Sequence, residues 1–259
     1  MSAQRPFKRL LLTNDDGIEA PGLRTLQRVA EELAEEIWVV APDHDQSGVS
    51  HSISLHSPLR VSKKDERRFS VSGTPGDCVV MATRFLMGDV APDMVLSGIN
   101  RGANLGVETV FSGTVGAAMT GMLLGIPSIA LSQAFSDRDA VRWETAEKLA
   151  ADVIRKFSDL GWSKDACLNI NFPDVEAAQA GPVELTQQGA GFLNDVHVVS
   201  GLDPRNHEFH WLSLQRSTGN DVVGAEAYAL KNGNISVTPL QFERTNESTL
   251  HKLRAASKA

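Results

Sequence analysis

Short apolar runs alternate along the first two thirds of the chain with segments whose apolar positions return every three or four residues. The first run, Arg9 to Thr13 (R-L-L-L-T), has no helical period and stops abruptly at Asn14-Asp15-Asp16-Gly17, so it predicts a short buried strand ending in an acidic turn. Pro21 and Gly22 then open a segment with Leu23, Leu26, Ala30, Leu33 and Ile37 on one stripe, the signature of a helix lying on a sheet. Ile37 to Ala41 predicts a second strand running into the polar loop Pro42 to Ser57. Leu59 to Ser72 predicts a hairpin with the charged run Lys63 to Arg68 at its tip. After the break at Gly73-Thr74-Pro75-Gly76, the spacing of Val79, Ala82, Phe85 and Leu86 suggests a helix. Asp93 to Ser97 predicts a third core strand, followed by a Gly- and Asn-rich loop over 98–113. A helix of small residues over 115–124, a strand over 126–132, a long helix between Asp139 and Leu160 and a strand over 168–172 complete the alternation.

Strands alternating with helices imply a three-layer, Rossmann-like α/β fold on a mostly parallel, doubly wound sheet. In that architecture ligands bind beyond the carboxyl ends of the strands. From Pro182 onward the pattern changes to short strand-like runs at 183–186, 196–199, 209–214 and 235–240, separated by Gly, Asn and Asp, with room for a helix near the end. The expected organisation is an N-terminal tail (1–8), a catalytic core (9–181) and a β-rich extension (182–259) that serves subunit contacts.

Composition narrows the function classes. A chain of 259 residues buries roughly three quarters of its unfolded surface, so core size is no constraint. With 42% apolar content, no apolar run long enough to span a bilayer and no hydrophobic signal core in Met1 to Lys8, a soluble cytoplasmic protein without membrane contact is expected. Cys78 and Cys167 stand in unrelated contexts and read as reduced core thiols. The net charge of −7 opposes binding to nucleic-acid polymer, but leaves room for a small phosphorylated substrate met by a metal or a helix N-terminus.

Two adjacent carboxylates at the end of a buried strand raise each other's pKa and resist desolvation, which a divalent cation would relieve. The plainer alternative is that Asp15 or Asp16 caps the next helix. Three more motifs fall at the ends of later strands: A-P-D-H-D-Q-S-G at 41–48, S-G-I-N-R-G-A-N-L-G at 97–106 and F-S-G-T-V at 111–115. In this order, with T-N-D-D-G at 13–17, they resemble the SurE family of survival proteins, which are metal-dependent phosphatases acting as nucleotidases. The resemblance is strong over 9–173 and looser to the I-S-V-T-P-L run at 235–240.

The resemblance implies that Asp15, Asp16, Ser47 and Asn100 hold one divalent cation. An all-oxygen donor set of this kind favours Mg²⁺ or Mn²⁺, with Ca²⁺ also compatible, over zinc. The histidines agree, since none forms H-E-x-x-H; His207 and His210 are expected on opposite faces of one strand, and His44 either touches substrate or is solvated. Ser112, Gly113 and Thr114 precede the small-residue helix and would offer backbone N–H groups and a helix dipole to phosphate, with the Asn104 amide beside them. The implied reaction is hydrolysis of a nucleoside monophosphate, with Asp15, Asp16, Asn104 and Ser112 as the catalytic set, in a homodimer or homotetramer. A metal- and nucleotide-binding regulator without turnover is the alternative. Glu108-Thr109, Phe111, Thr120 and Glu226 depart from the family pattern, where Asp-Asp, Tyr, Glu and Asp are usual. Rival readings fare worse: a receiver domain needs an acceptor Asp at the end of a later strand, a haloacid-dehalogenase-type phosphatase needs D-x-D, and a dinucleotide-binding protein needs G-x-G-x-x-G.

Overall fold

The fold is taken from a computed structural model that describes residues 5–216 and 222–257. The first strand, β1 (Phe7–Thr13), is buried on both sides: Leu10 and Leu12 face one layer, Leu11 the other, and none of the three is exposed. Each such leucine contributes about 2 kcal/mol by leaving water. A strand buried on both faces needs helices on both sides. They are supplied by α1 (Pro21–Glu31), which packs one face after β1, and by the later helices described below.

β2 (Ala34–Pro42) takes over the tail of the predicted first helix, so Ile37 lies in a strand rather than on α1. β3 (Val61–Asp65) and β4 (Arg68–Val71) form the expected hairpin, although the charged run reaches into both strands and only Glu66 and Arg67 make the turn. α2 (Pro75–Met81) begins with Thr74, whose hydroxyl accepts the Asp77 N–H while the Asp77 carboxylate accepts the Thr74 N–H, a reciprocal cap that fixes its start. β5 (Met94–Arg101) continues past Ser97 through the Gly- and Asn-rich motif, so Asn100 sits on the strand's last residues rather than in a free loop. α3 (Gly113–Leu123) is buried almost all round, as its run of small residues requires.

β6 (Ser128–Gln133), α4 (Trp143–Leu160) and β7 (Cys167–Phe172) follow as the alternation predicts, with α4 starting four residues later than the Asp139 signal suggests. The remaining elements are β8 (Val183–Leu185), β9 (Leu193–Leu202), β10 (Glu208–Arg216), α5 (Glu226–Lys231), β11 (Ile235–Leu240) and α6 (Glu247–Ala256). His207 lies just before β10 rather than within it, and Glu226 opens α5 within the extension.

One nine-stranded sheet runs in the order β3-β4-β2-β1-β5-β6-β7-β11-β8. β4, β2, β1, β5, β6 and β7 are parallel, while β3 runs against β4 and β11 against β7, with β8 parallel to β11. α1 and α4 cover the face carrying Leu10, Leu12, Leu96, Ile129 and Ile170; α2 and α3 cover the face carrying Leu11, Val40 and Val95. β11 and β8 extend this sheet, while β9 and β10 stand apart as a two-stranded ribbon. Cys78 and Cys167 are buried free thiols, and burial pushes the Cys167 thiol up to about 12. Among the described residues no helix is long and apolar enough to cross a membrane.

The chain leaves β1 toward β2 and β4, then returns to β1's other side as β5. The topological switch point therefore lies between the carboxyl ends of β1 and β5, where doubly wound sheets open a crevice.

Candidate active site

Asp15 and Asp16 follow β1 directly into that crevice. The turn is closed by the Asn14 amide, which donates to the Gly17 carbonyl at 2.9 Å. Neither aspartate caps α1, whose N-cap is Ala20 with Pro21 in the first turn. The Asp15 side chain is only 4% exposed, and its Oδ1 accepts the Thr114 hydroxyl at 2.5 Å. Burial pushes its carboxyl up to about 6, against the pull of the Thr114 hydroxyl and with the added repulsion of Asp16. Burial also raises Asp16, although its Oδ2 accepts the Arg101 N–H at 3.3 Å. Both carboxylates therefore lack a full complement of positive charge.

The other two expected ligands come from neighbouring strand ends. The 42–53 loop is tied to the acidic turn by the Gln46 N–H, which donates to the Asp15 carbonyl at 2.7 Å, and this brings exposed Ser47 to the same end of the sheet. Asn100 is half-buried; its Nδ2 donates to the Gly102 carbonyl at 2.8 Å, leaving Oδ1, the hard donor, for a cation. Among the described residues no three His, Cys, Asp or Glu side chains converge on one point. A cation held by this pair would accordingly take neutral oxygens for the rest of its shell, and that chemistry fits Mg²⁺, Mn²⁺ or Ca²⁺. His44 is exposed, with Nδ1 2.5 Å from Asp43 and Nε2 2.7 Å from the Gln46 amide, so its ring is held within its own loop.

The start of α3 lies against Asp15. A Cβ built on Gly113 would fall 2.7 Å from the Asp15 Cβ and 2.9 Å from Oδ2, so only glycine lets the helix end come this close. Ser112 is the N-cap, its Oγ accepting the Val115 N–H at 3.1 Å. Thr114 is fully buried and committed to Asp15. The positive end of α3 thus meets the acidic pair as well as any anion placed beside it.

Asn104 is 8% exposed and its Nδ2 donates to the Ser132 hydroxyl at 2.9 Å. Its backbone is held by two residues that the sequence pattern assigned only to a strand. The Asn104 N–H donates to Asn171 Oδ1 at 2.8 Å, and its carbonyl accepts Nδ2 of Asn169 at 2.8 Å and of Asn171 at 3.2 Å. The signal for these residues was present in L-N-I-N-F: two asparagines at alternate positions of a strand buried on both faces.

Three of the departures from the family pattern anchor the same loops. Glu226, 1% exposed, accepts the N–H groups of Gly106 at 2.5 Å and Gly189 at 2.8 Å. Gly106 has φ +54°, and a Cβ there would stand 2.1 Å from the Gly191 nitrogen, so loop and extension touch through backbone. Glu108 accepts Arg216 of β10 at 2.7 Å. The Thr120 hydroxyl donates to the Gly116 carbonyl and accepts His51 Nε2, each at 2.8 Å.

An acidic pair at the switch point of a doubly wound sheet, with a glycine-started helix end packed on it, defines a Rossmann-like α/β protein with a polar crevice at its strand ends. The chain belongs to the SurE family: the model of "Survival protein SurE" matches residues 10–195. It is 59% identical to 5'-nucleotidase SurE 1 of Burkholderia lata over 257 residues, covering 99% of both chains. It is 46% identical to 5'-nucleotidase SurE of Parvibaculum lavamentivorans, covering 96% of this chain and 90% of that one. The crystal structure of SurE protein from Aquifex aeolicus superposes with a TM-score of 0.82 at 36% identity, covering 96% of this chain and 99% of that chain.

Proposed function

We propose that this protein is a divalent-metal-dependent phosphomonoesterase that hydrolyses nucleoside monophosphates and releases inorganic phosphate. The observation that carries the reading is the contact between Gly113 and Asp15, because it sets a helix N-terminus and a pair of under-compensated carboxylates on the same small volume. The names of the relatives support the substrate class.

Asp15, Asp16, Ser47 and Asn100 would hold the cation, Mg²⁺ or Mn²⁺ in the cell and Ca²⁺ as a non-native substitute. Bound there, it supplies Lewis-acid polarisation of the phosphoryl group. The N–H groups at the start of α3 and the Asn104 amide orient the phosphoryl oxygens and stabilise charge developing on them. The Ser112 hydroxyl, whose oxygen already accepts the Val115 N–H, keeps its own proton for an oxygen of the phosphate. Asp15 or Asp16 accepts a proton from the attacking water. The residues from 182 onward mediate assembly into a homodimer or homotetramer.

Purified protein assayed with p-nitrophenyl phosphate and a panel of nucleoside monophosphates should turn over with Mn²⁺ or Mg²⁺ and fall silent with chelator. Asp16→Asn should lose that metal-dependent activity by at least 100-fold, on the scale of losing one electrostatic contact to the transition state. Binding of Mn²⁺ and of a nucleoside monophosphate with no turnover on any substrate would instead make the chain a metal- and nucleotide-binding regulator.

A further inference from the structure

Asn104 is gripped more completely than its neighbours in the loop. Both of its backbone groups and its side-chain amide are bonded to side chains of two other strands: Asn169 and Asn171 from β7, and Ser132 from β6. The three partners are themselves no more than 1% exposed. Ser132 and Asn171 are direct cross-strand partners, and Asn100 pairs with Ser132 on the other side, so the row Asn100–Ser132–Asn171 runs straight across the sheet edge. Alternation along β7 leaves Leu168, Ile170 and Phe172 in the apolar layer of α1 and α4. Cys167, Asn169 and Asn171 therefore take the α3 side.

Burying two carboxamides costs desolvation, which their bonds to the buried Asn104 backbone offset. Those bonds converge on a single residue, gripping the peptide units on either side of its Cα. Asn169 Oδ1 meets no hydrogen-bond donor among the described residues. What the arrangement accomplishes is orientation: the Asn104 backbone is held on both sides of its Cα, and its side-chain amide is aligned by Ser132.

We infer that Asn169 and Asn171 are positioning residues for the reaction, acting through Asn104 by holding its amide where a phosphoryl oxygen will lie. The inference rests on the phosphate role proposed for Asn104. A shift of about 1 Å in such a group costs on the order of 100-fold in rate, so Asn171→Leu should lower kcat for p-nitrophenyl phosphate by about 10- to 100-fold. Mn²⁺ affinity, measured by calorimetry, should stay within about twofold, because none of the four proposed ligands is touched.

The decisive measurement is a double-mutant cycle with Asn104→Ala. If Asn171 acts through Asn104, Asn171→Leu should cost little further in the Asn104→Ala background, and exchange of the Asn104 backbone amide with deuterium should accelerate at least 10-fold in Asn171→Leu. Additive losses in the cycle, or an unchanged Asn104 exchange rate, would overturn the inference. Asn104→Ala with full turnover would overturn the phosphate role beneath it, and the single variant reads that failure separately. Should Asn171→Leu fail to fold, Asn169→Leu removes one bond to the Asn104 carbonyl and leaves both Asn171 bonds in place, so the same cycle can be run with it.

Discussion

Asp15 illustrates how one side chain can hold the fold back until its ligand arrives. Its carboxyl stands at about 6 in the folded protein against an ordinary 3.8, so the folded state binds the proton more tightly than the unfolded chain. Metal-free protein therefore loses stability as pH rises from about 4 to about 6, and the loss, roughly 3 kcal/mol, persists above that window. Asp16 is raised for the same first cause, burial, and adds in the same direction. Asp15→Asn keeps an acceptor for the Thr114 hydroxyl while removing the charge. In chelator at pH 7.5 it should melt several degrees above the parent, and at pH 4 the advantage should vanish. Adding Mn²⁺ should reverse the order at pH 7.5, raising the parent and leaving the variant unmoved. Thermal melts at the two pH values test this, and a variant less stable than the parent at pH 7.5 without metal would contradict the account of Asp15.

At the scale of elements, the site depends on how closely α3 approaches the end of β1. Gly113→Ala would place a methyl group against the Asp15 Cβ, which lies on the main-chain side of that residue and has no room to swing away. The helix must then move, at a cost of about 1–3 kcal/mol by analogy with overpacked cores. Thermal unfolding should register that loss, and kcat on p-nitrophenyl phosphate should fall with it; an alanine variant with parental Tm and kcat would mean that α3 is free to shift. The same elements show what can be read from sequence and what cannot. Strand ends carrying N-D-D-G and S-G-I-N announced themselves, because polar residues breaking an apolar run are visible locally, whereas S-G-T, expected at a strand end, starts α3. The alternation that builds the parallel sheet was legible too. The commitment of Thr114 to Asp15 and the grip on Asn104 were not legible, since they depend on residues 99 and 67 positions apart meeting across strands. The role of Glu226, accepting Gly106 and Gly189, was not legible either, because it is set by a tertiary approach of two loops that leaves no periodic trace.

The whole molecule is less finished at its carboxyl third than at its centre. The ribbon of β9 and β10 exposes apolar residues on both faces: Val199 opposite Trp211 on one, and Val198 opposite Leu212 with Val196 opposite Leu214 on the other. A two-stranded ribbon with both apolar faces in water is marginal alone, which is the physical case for its being covered in an oligomer. α6 likewise buries none of its residues against this chain. β11, by contrast, belongs to the core: Val237 is fully buried and the strand is bonded to β7 throughout. Truncation after Pro182 would thus remove a core strand and confuse loss of assembly with loss of folding. The clean experiment cuts only the ribbon. Leu193 and Arg216 are cross-strand partners, so replacing residues 194–215 with Asn-Gly gives a two-residue hairpin turn at a closure the fold already makes. Light scattering should find the parent as a dimer or tetramer and the shortened chain as a smaller species, while its Mn²⁺-dependent thermal shift, which reads the acidic site rather than the ribbon, persists. An oligomer of unchanged size would move the interface to α6 or to the sheet edges, and a shortened chain that no longer responds to Mn²⁺ would mean that the Arg216–Glu108 contact holds the phosphate loop in place from the ribbon's base.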